Sequence, residues 1–338
     1  MTKTPILAVL CVMTPLACAQ AQDVASFYRD RTVSLTIGYP PGGGFDTSAR
    51  ILLRHMPRHI PGQPAIVPKN MPGAGSLVAA NYLYNVAPKD GTEFGIIGGS
   101  VPFGAIWSRE GVKFESERFG WIGSLDRWNG IALIWREAPV KTLADAQRTD
   151  VPVGATGAGD VTAIYPRVLN TLLGTRFVVS AGYRGTRDLN LAIERGEVHG
   201  RLGWCWSCVK ADKPDWIADG KVRAILQFGI GKDPDLPDAP HIFDLAKSEE
   251  DRQIMRLVFG SQEMARPFVA PPGLPADRLA ALRNAFEKTA GDPEFLAEAA
   301  KTQTSVNITR WQEMEKLLRD VAATPPAVVE RAARLVGG

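Results

Sequence analysis

The chain has 338 residues, of which 45% are hydrophobic and 22% are charged, a composition typical of a globular protein. Its formal net charge of +3 argues against a nucleic-acid-binding protein, which needs a strongly basic surface. Residues 126–228 contain 14 basic and 11 acidic residues, so the surplus lies mid-chain and weakly favours an anionic ligand. At ~100–200 residues per domain, the length predicts two domains.

The first residues have the features of a secretory signal peptide. Lys3 gives a positive start, residues 6–16 are apolar, and Ala19 and Ala21 form a small-x-small cleavage pattern. The apolar run is about half the ~20 residues that a membrane-spanning helix needs. We predict a signal peptide over residues 1–21, cleavage near Ala21, and a soluble periplasmic protein. Cys18 leaves a lipoprotein as the alternative, although residues 15–17 match an acylation box poorly.

Short apolar segments alternate with segments of helical period, which predicts an α/β fold with parallel sheets. The predicted strands cover residues 33–39, 65–67, 94–97, 151–155 and 177–179. The first predicted helix follows Asp46 as its N-cap and has one apolar face, formed by Ala49, Leu52, Leu53 and Met56. Further helices are predicted over residues 77–84, 165–173 and 186–195, and mostly helical structure from residue 275 onwards. The restart near residue 151 indicates two similar halves.

Three glycine-rich turns connect predicted strands to predicted helices, at residues 40–46, 72–76 and 156–160. A helix N-terminus has unpaired amides and the positive end of the helix dipole, so it attracts anions. Glycine lets the backbone approach a ligand closely, and in a parallel sheet such turns meet at the carboxyl edge. We therefore predict a cleft that binds an anion through backbone amides.

The motifs of common enzyme classes do not fit these turns. The first turn lacks the Gly-Lys-Ser/Thr ending of a P-loop, and the third does not give G-x-G-x-x-G. The sequence contains no G-x-S-x-G and no H-E-x-x-H. His55 and His59 have Pro57 between them, and we interpret them as a solvated helix end. We predict that the protein is not an enzyme and has no cofactor and no metal site.

Two cysteines, Cys205 and Cys208, remain after the predicted cleavage and form a C-x-x-C pair. In an oxidising compartment we expect either a short-loop disulfide or two inert thiols. A redox-active pair usually opens a helix near the start of a small thioredoxin-like domain, whereas this pair lies about two-thirds along a large chain. Redox catalysis is therefore the less favoured alternative.

Three ordered motifs resemble those of the substrate-binding proteins of tripartite tricarboxylate transporters, the Bug-type extracytoplasmic solute receptors. The chain has Pro-Pro-Gly-Gly-Gly-Phe-Asp at residues 40–46 and Met-Pro-Gly-Ala-Gly-Ser at residues 71–76. It also has Asp90-Gly91 before a strand that ends in small residues 98–100. Weaker matches lie at residues 183–185, 191–198 and 270–273, so the resemblance covers nearly the whole mature chain.

This resemblance implies a two-lobed periplasmic-binding-protein fold, the type II Venus flytrap, with two crossing strands at the hinge. Lobe 1 is expected to comprise residues 22–125 and 229–338, and lobe 2 residues 126–228. It implies a small carboxylate ligand, held mostly by backbone amides and waters. The expected ligand-binding residues are Gly43, Gly44, Phe45, Asp46, Ala74, Gly75, Ser76, Gly99 and Ser100 in lobe 1, and Thr156, Gly157, Gly159, Asp160, Tyr183 and Trp204 in lobe 2.

Two departures from the family pattern leave alternatives open. Asp160 stands where many relatives have Ser or Thr. It either caps the following helix or faces the cleft, where its charge would disfavour a second carboxylate. Trp204 and Trp206 either pack in the core or wall the cleft against an apolar ligand body.

The leading hypothesis is an exported, monomeric solute-binding protein that captures a carboxylate and delivers it to the large and small membrane subunits of a transporter. One alternative is a ligand sensor that presents its closed form to a signalling partner. The other is a two-lobed enzyme, which is least favoured because the sequence supplies no nucleophile–base pair.

Overall fold

The computed structural model describes residues 24–107, 111–157, 160–183, 185–229 and 231–337. The predicted signal peptide and its cleavage site therefore lie outside the described residues. Within these ranges, no helix has both the length and the apolar character needed to cross a membrane.

Eleven strands are present in the described residues: β1 (Thr32–Ile37), β2 (Ala65–Asn70), β3 (Glu93–Ile96), β4 (Gly120–Ser124), β5 (Gly130–Trp135), β6 (Val151–Ala155), β7 (Phe177–Ala181), β8 (Gly200–Cys205), β9 (Val222–Gln227), β10 (Pro267–Ala270) and β11 (Thr309–Arg310). All five predicted strands are confirmed, four of them with shifted ends. The remaining six were not assigned from the sequence.

Residues 24–28 are helical, and the α-helices that follow are α1 (Gly44–His55), α2 (Leu77–Asn85), α3 (Val101–Trp107), α4 (Leu143–Ala146), α5 (Val161–Leu173), α6 (Thr186–Glu194), α7 (Trp206–Asp212), α8 (Pro214–Ala218), α9 (Glu249–Phe259), α10 (Ala276–Ala290), α11 (Pro293–Lys301), α12 (Trp311–Ala322) and α13 (Pro326–Gly337). Short 3₁₀ helices lie at Met56–His59, Ala74–Ser76, Ser116–Arg118, Ile242–Leu245 and Gly260–Met264. The predicted helices correspond to α1, α2, α5 and α6 and to the C-terminal helices.

The strands form two sheets, and both are mixed. Sheet 1 has the order β11-β4-β10-β3-β1-β2, and sheet 2 has the order β7-β6-β8-β5-β9. The prediction of parallel sheets is wrong for β5 and β10, which run antiparallel to both of their neighbours. Each of these strands follows a crossing between the sheets. It therefore enters its sheet from the opposite side to the strands that come from βα connections.

Two chain segments connect the sheets. Residues 125–129 run directly from β4 to β5, whereas the return from β9 to β10 contains α9 and two 3₁₀ helices, so it is largely helical where a crossing strand was predicted. Backbone hydrogen bonds join the two crossings: Leu125 N donates to Arg266 O at 3.1 Å, and Trp128 N donates to Gln262 O at 2.8 Å. The two crossings therefore meet as one hydrogen-bonded junction beside the sheets.

Three apolar clusters cover the sheets. On β5, Ile131 and Leu133 belong to a cluster on one face of sheet 2, while Ala132 and Ile134 belong to a cluster on its other face, as the period of two in a strand requires. The second of these clusters also contains Trp121 of β4, and so reaches sheet 1. A third cluster covers the remaining face of sheet 1. The two sheets therefore share one core.

The shared core is closed by helices from distant parts of the chain. α13 packs on α5 and on α9. Arg167 of α5 donates to the Val336 carbonyl at 3.1 Å, and Arg331 of α13 pairs with Glu250 of α9 at 3.0 Å. The C-terminal helix consequently lies against a helix that flanks sheet 2.

The interpretation of His55 and His59 as a solvated helix end is wrong. His55 is 8% exposed, and its Nε2 lies 2.6 Å from Glu298, while His59 Nε2 lies 2.9 Å from Asp292. Nitrogen and carboxylate oxygen atoms of His55, Asp292 and Glu294 lie within 4.8 Å of one another, but Arg58 binds both carboxylates. The group therefore forms an ion-pair network that joins α1 to α11.

Candidate functional site

The first glycine turn leads from β1 to α1. Gly43 is the N-cap of α1, in an extended conformation with no side-chain cap bond. The prediction of Asp46 as N-cap is wrong, because the carboxylate lies within the first turn and bends back to Gly42. It accepts hydrogen bonds at 2.9 Å from Gly42 N, Arg50 Nε and Asn70 Nδ2. These bonds leave Asp46 as a brace for the turn.

The pKa of Asp46 reflects this role. Burial alone would raise the pKa, but hydrogen bonds from Arg50, Gly42 and Asn70 outweigh it and hold the pKa below its usual value. The carboxylate is therefore charged and fully satisfied by the protein.

The second glycine turn has an unusual backbone. Ala74, Gly75 and Ser76 have φ values of 44°, 62° and 83°, which is the left-handed region that non-glycine residues rarely adopt. Ser76 is fully buried, and its Oγ accepts a hydrogen bond from Gly98 N at 3.0 Å. The turn is therefore tied to the end of β3 by its serine.

The residues after β3 are constrained in a similar way. A Cβ on Gly99 would collide with the Met264 carbonyl oxygen, so glycine is required here for close packing. Ser100 is exposed and precedes α3. Both residues lie outside the cavity described below.

The third turn leads from β6 to α5, and Asp160 caps the helix. Its Oδ1 accepts hydrogen bonds from Thr162 N at 2.9 Å and from Thr162 Oγ1 at 2.6 Å. The Thr162 hydroxyl in turn accepts from Thr156 N at 3.1 Å. Asp160 is also exposed and lines the cavity. It therefore both caps the helix and faces the cleft. Gly159 lies outside the described residues.

A cavity of about 570 Å³ lies between the two sheets. Among the predicted ligand-binding residues it is lined by Gly44, Phe45, Thr156, Asp160 and Trp204. The described residues that were predicted but do not line it are Gly43, Asp46, Ala74, Gly75, Ser76, Gly99, Ser100, Gly157 and Tyr183. The first and third glycine turns therefore meet at this cavity, whereas the second turn does not line it.

An aromatic pair flanks the first glycine turn. The ring of Tyr39 stacks on Phe45, with centroids 4.0 Å apart. Burial and the carboxylate of Asp160, from the other half, raise the pKa of Tyr39 to about 12. Asp160 is therefore near enough to act on groups beside α1.

Arg201, on β8, was not predicted from the sequence as a ligand-binding residue. Its side chain lines the cavity and is only 4% exposed. Nη1 donates to Asn190 Oδ1 at 3.2 Å, the guanidinium lies 4.6 Å from the Trp204 ring centroid, and Nε has no hydrogen-bond partner. Burial lowers its pKa to about 10, against the opposing effect of nearby Asp160 and Asp212. The side chain is therefore still charged at neutral pH.

Arg266, immediately before β10, was also missed. Its Nη1 donates to Ser48 Oγ of α1 at 2.7 Å, and its Nη2 lies 3.4 Å from the position that a Cβ on Gly44 would occupy. The buried Nε has no partner. Burial lowers the pKa of Arg266, and Asp126 acts in the opposite direction. The guanidinium therefore lies beside the N-terminus of α1, where the helix dipole also favours an anion.

Asp126 and Trp128 belong to the first crossing and line the same cavity. Asp126 is 1% exposed and accepts hydrogen bonds from Trp128 Nε1 at 2.8 Å and from Ser305 Oγ at 3.0 Å. Burial raises its pKa to about 6, although Arg266 and these hydrogen bonds lower it. A carboxyl group that titrates near neutral pH thus stands beside one of the two arginines.

Trp204 and the two cysteines form part of the cavity wall. Trp204 is 6% exposed and packs in a core cluster with Trp216, and it also lines the cavity, so its packing in the core does not prevent it from forming part of the wall. A disulfide joins Cys205 to Cys208, with Cα atoms 5.1 Å apart. It connects the end of β8 to the first turn of α7 beside the cavity.

Comparison with known proteins supports the fold derived from this geometry. No protein-family model matches the chain. The chain is 24% identical over 326 residues to a Cupriavidus necator protein described as a UPF0065 protein in the gbd 5′ region, with 94% of this chain and 92% of that protein covered. A TctC solute-binding protein from Polaromonas superposes with a TM-score of 0.70 at 17% identity, over 90% of this chain and 99% of that chain. The fold is that of a solute-binding protein.

Two further structures have this fold and were solved with ligands. MatC from Rhodopseudomonas palustris, with bound malate, has a TM-score of 0.61 at 21% identity over 91% of this chain and 99% of that chain. Rpa4515 from R. palustris, with adipate, has a TM-score of 0.61 at 19% identity over 91% and 98%. The two-lobed type II fold and the resemblance that the motifs predict are thereby confirmed.

Proposed function

We propose that this protein is an exported solute-binding protein that captures a small organic carboxylate between its two sheets and delivers it to a tripartite tricarboxylate-type membrane transporter. The observation that carries the proposal is the cavity of about 570 Å³ between the sheets, into which the buried Arg201, the half-buried Arg266 and the N-terminus of α1 bring positive charge. This volume suits a small molecule.

The nature of the ligand is inferred from charge and from the solved structures. A buried charge without a partner is costly, so the arginines favour an anionic ligand. Malate and adipate, bound to MatC and Rpa4515, are both small dicarboxylates. The tryptophans of the cavity, Trp128 and Trp204, would contact the apolar body of the ligand.

The lobes would divide as residues 22–125 with 229–338, and residues 126–228, and would close over the ligand. The junction at residues 125–129 and 262–266 is the position for a hinge, because the two crossings are hydrogen-bonded there. The partners would be a large and a small membrane subunit, the protein a monomer, and the compartment the periplasm after cleavage near Ala21. Of the expected ligand contacts in the glycine turns, those of the first and third turns, which line the cavity, remain part of this proposal.

The test is a thermal-shift screen of the purified mature protein against malate, adipate, their monocarboxylate counterparts and aromatic carboxylates, followed by calorimetry on each compound that raises the melting temperature. We expect at least one carboxylate to bind with 1:1 stoichiometry. Neutral sugars and cationic amines of similar size serve as controls. Selective stabilisation by a control class, with no carboxylate bound, would contradict the proposal.

The binding function also predicts that a bound carboxylate is released unchanged. Incubation of protein and ligand for hours, followed by chromatography, should recover the ligand in full. Conversion that scales with protein concentration and disappears in a cavity variant would instead support the two-lobed enzyme.

A further inference from the structure

Arg201 and Arg266 line one cavity from opposite sheets. Arg201 lies on β8 of sheet 2, and Arg266 precedes β10 of sheet 1. Each guanidinium makes one side-chain hydrogen bond to a neutral group, Asn190 or Ser48, and each retains a buried Nε without a partner. None of the described carboxylates lies within ion-pair distance of either group, the nearest acidic influences being Asp126, Asp160 and Asp212.

Three other basic side chains in or near the cavities have acidic partners. Arg127, next to Asp126 in the same crossing, lies 3.5 Å from Glu263 and 3.8 Å from Glu313. A second cavity of about 700 Å³, beside α9 and α12, contains Arg256 and Lys316, which pair with Glu249 and Asp320. Arg201, which is buried, and Arg266, which is half-buried, differ from these three side chains in having no acidic partner among the described residues.

We propose that Arg201 and Arg266 are the specificity-determining residues of this receptor, and that they clamp a dianionic ligand, one acidic group at each guanidinium. This inference rests on the proposed function and extends it from carboxylates in general to ligands with two acidic groups. Arg266 and the N-terminus of α1 bind the first acidic group, and Arg201 binds the second from the opposite sheet. A guanidinium presents several donors in a planar fork that fits a carboxylate, so a partner is available for each unpaired Nε.

The acidic residues of the cavity do not prevent this arrangement. Asp160 and Asp212 are exposed, so water and salt screen their charges, whereas the charge of Arg201 is buried and acts more strongly on a ligand in the cavity. Asp126 is satisfied by Trp128 and Ser305. A ligand with two acidic groups would bind both arginines at once. Such a ligand would therefore favour the closed arrangement of the two sheets, and a ligand with one acidic group would not.

The test compares dianions with monoanions of the same chain length by calorimetry. Adipate is paired with hexanoate, and malate with 3-hydroxybutyrate. We expect at least one dianion to bind the wild type 30-fold or more tightly than its monoanion. Arg201→Gln should remove most of this preference while changing monoanion affinity less than threefold, and Arg266→Gln should weaken both members of the pair.

Matched controls remove the same charge elsewhere. Arg195→Gln and Arg118→Gln each replace an exposed arginine outside the cavity, and should change affinity less than twofold. Because ligand-free Arg201 is an unpaired buried charge, Arg201→Gln should melt at the same or a higher temperature than the wild type. A fall of several degrees would make Arg201 structural and overturn the clamp.

The experiments distinguish failure of the clamp from failure of the proposed function. If the wild type shows no preference for either dianion, the clamp is overturned, while binding of any monocarboxylate leaves the proposed function standing. Loss of dianion preference in Arg195→Gln as large as in Arg201→Gln would also overturn the clamp, because general charge would then explain the effect.

Discussion

Asp126 lies in the first crossing with its carboxyl group buried beside Arg266. Its pKa is raised from an ordinary value of 3.8 to about 6. The folded protein therefore holds a proton between these pH values that the unfolded chain has released. Stability from this group is greatest below pH 4 and is lost as the pH rises through about 6.

The first prediction follows from this sign. The wild type should lose unfolding free energy as the pH rises from 4 to 7.5, and Asp126→Asn should lose less, by an amount on the order of 1–3 kcal/mol. The reason is that the pKa of Asp126 differs by about two units between the folded and the unfolded protein. Asparagine keeps an acceptor for Trp128 Nε1. Urea unfolding of both proteins at several pH values measures the difference. An identical pH profile for the two proteins would show that Asp126 does not titrate in this range.

Asp160 combines a structural bond with a position on the cavity. Asp160→Ser keeps an N-cap oxygen for Thr162 N, so the melting temperature should change little. Removing the carboxylate lowers repulsion of a ligand acidic group by roughly 1 kcal/mol for a solvent-exposed charge, which predicts a severalfold gain in dicarboxylate affinity. Calorimetry with adipate measures it. Asp219→Ser, which removes an exposed acid outside the cavity, is the control, and an equal gain there would contradict the specific effect.

At the scale of elements, α1 links the first glycine turn to Arg266. Gly44 is the first residue of the helix, and a side chain on it would extend towards the guanidinium, whereas the nearest atom to a Cβ on Gly43 lies at 3.8 Å. Neither residue has a positive φ, so strain of the backbone does not distinguish them. The difference between the two positions is the contact with Arg266.

Gly44→Val should therefore reduce affinity for a carboxylate tenfold or more, and Gly43→Val should have a much smaller effect. The reason is steric, since valine branches at Cβ and would displace the guanidinium from the end of α1. Calorimetry with the carboxylate that the screen identifies measures both variants, and circular dichroism checks the fold. Equal affinities for the two variants would place the ligand away from the end of α1.

At the scale of the whole molecule, one apolar cluster is shared by both sheets. It contains Trp121 of sheet 1, Ala132 of sheet 2, Leu169 of α5 and Val328 of α13. Unfolding of either half would expose apolar surface of this cluster to water, and the free-energy cost couples the unfolding of the two halves. The two halves are therefore parts of one cooperative unit.

We expect a single unfolding transition, with circular dichroism and tryptophan fluorescence giving the same midpoint. Leu169→Ala should lower the free energy of unfolding by the roughly 2–5 kcal/mol typical of a buried leucine, which lowers that midpoint without splitting the transition. Leu296→Ala, at a side chain 41% exposed, is the control and should have little effect. Two separated transitions in the wild type would contradict the shared core.

Local sequence determined much of the fold. Strand and helix positions in both halves followed from apolar periodicity, because the buried face of each element repeats at its own period. Gly174 ends α5 with a φ of 72°, and the apolar stripe of α1 is buried as predicted. The glycine turns indicated where two of the cavity walls lie, since they depend only on residues adjacent in sequence.

Which charged side chains line the cavity depends on the tertiary structure alone. Arg201 and Arg266 reach it from different sheets, and a sequence does not specify which charges remain unpaired when those sheets meet. The available signal was Arg201 itself, a charged residue within an otherwise buried strand. Asp46 shows the converse case, in which a residue of the turn motif was expected at the ligand. Its carboxylate is satisfied by Asn70, which is distant in sequence, because pairing energy depends on distance in space and on burial.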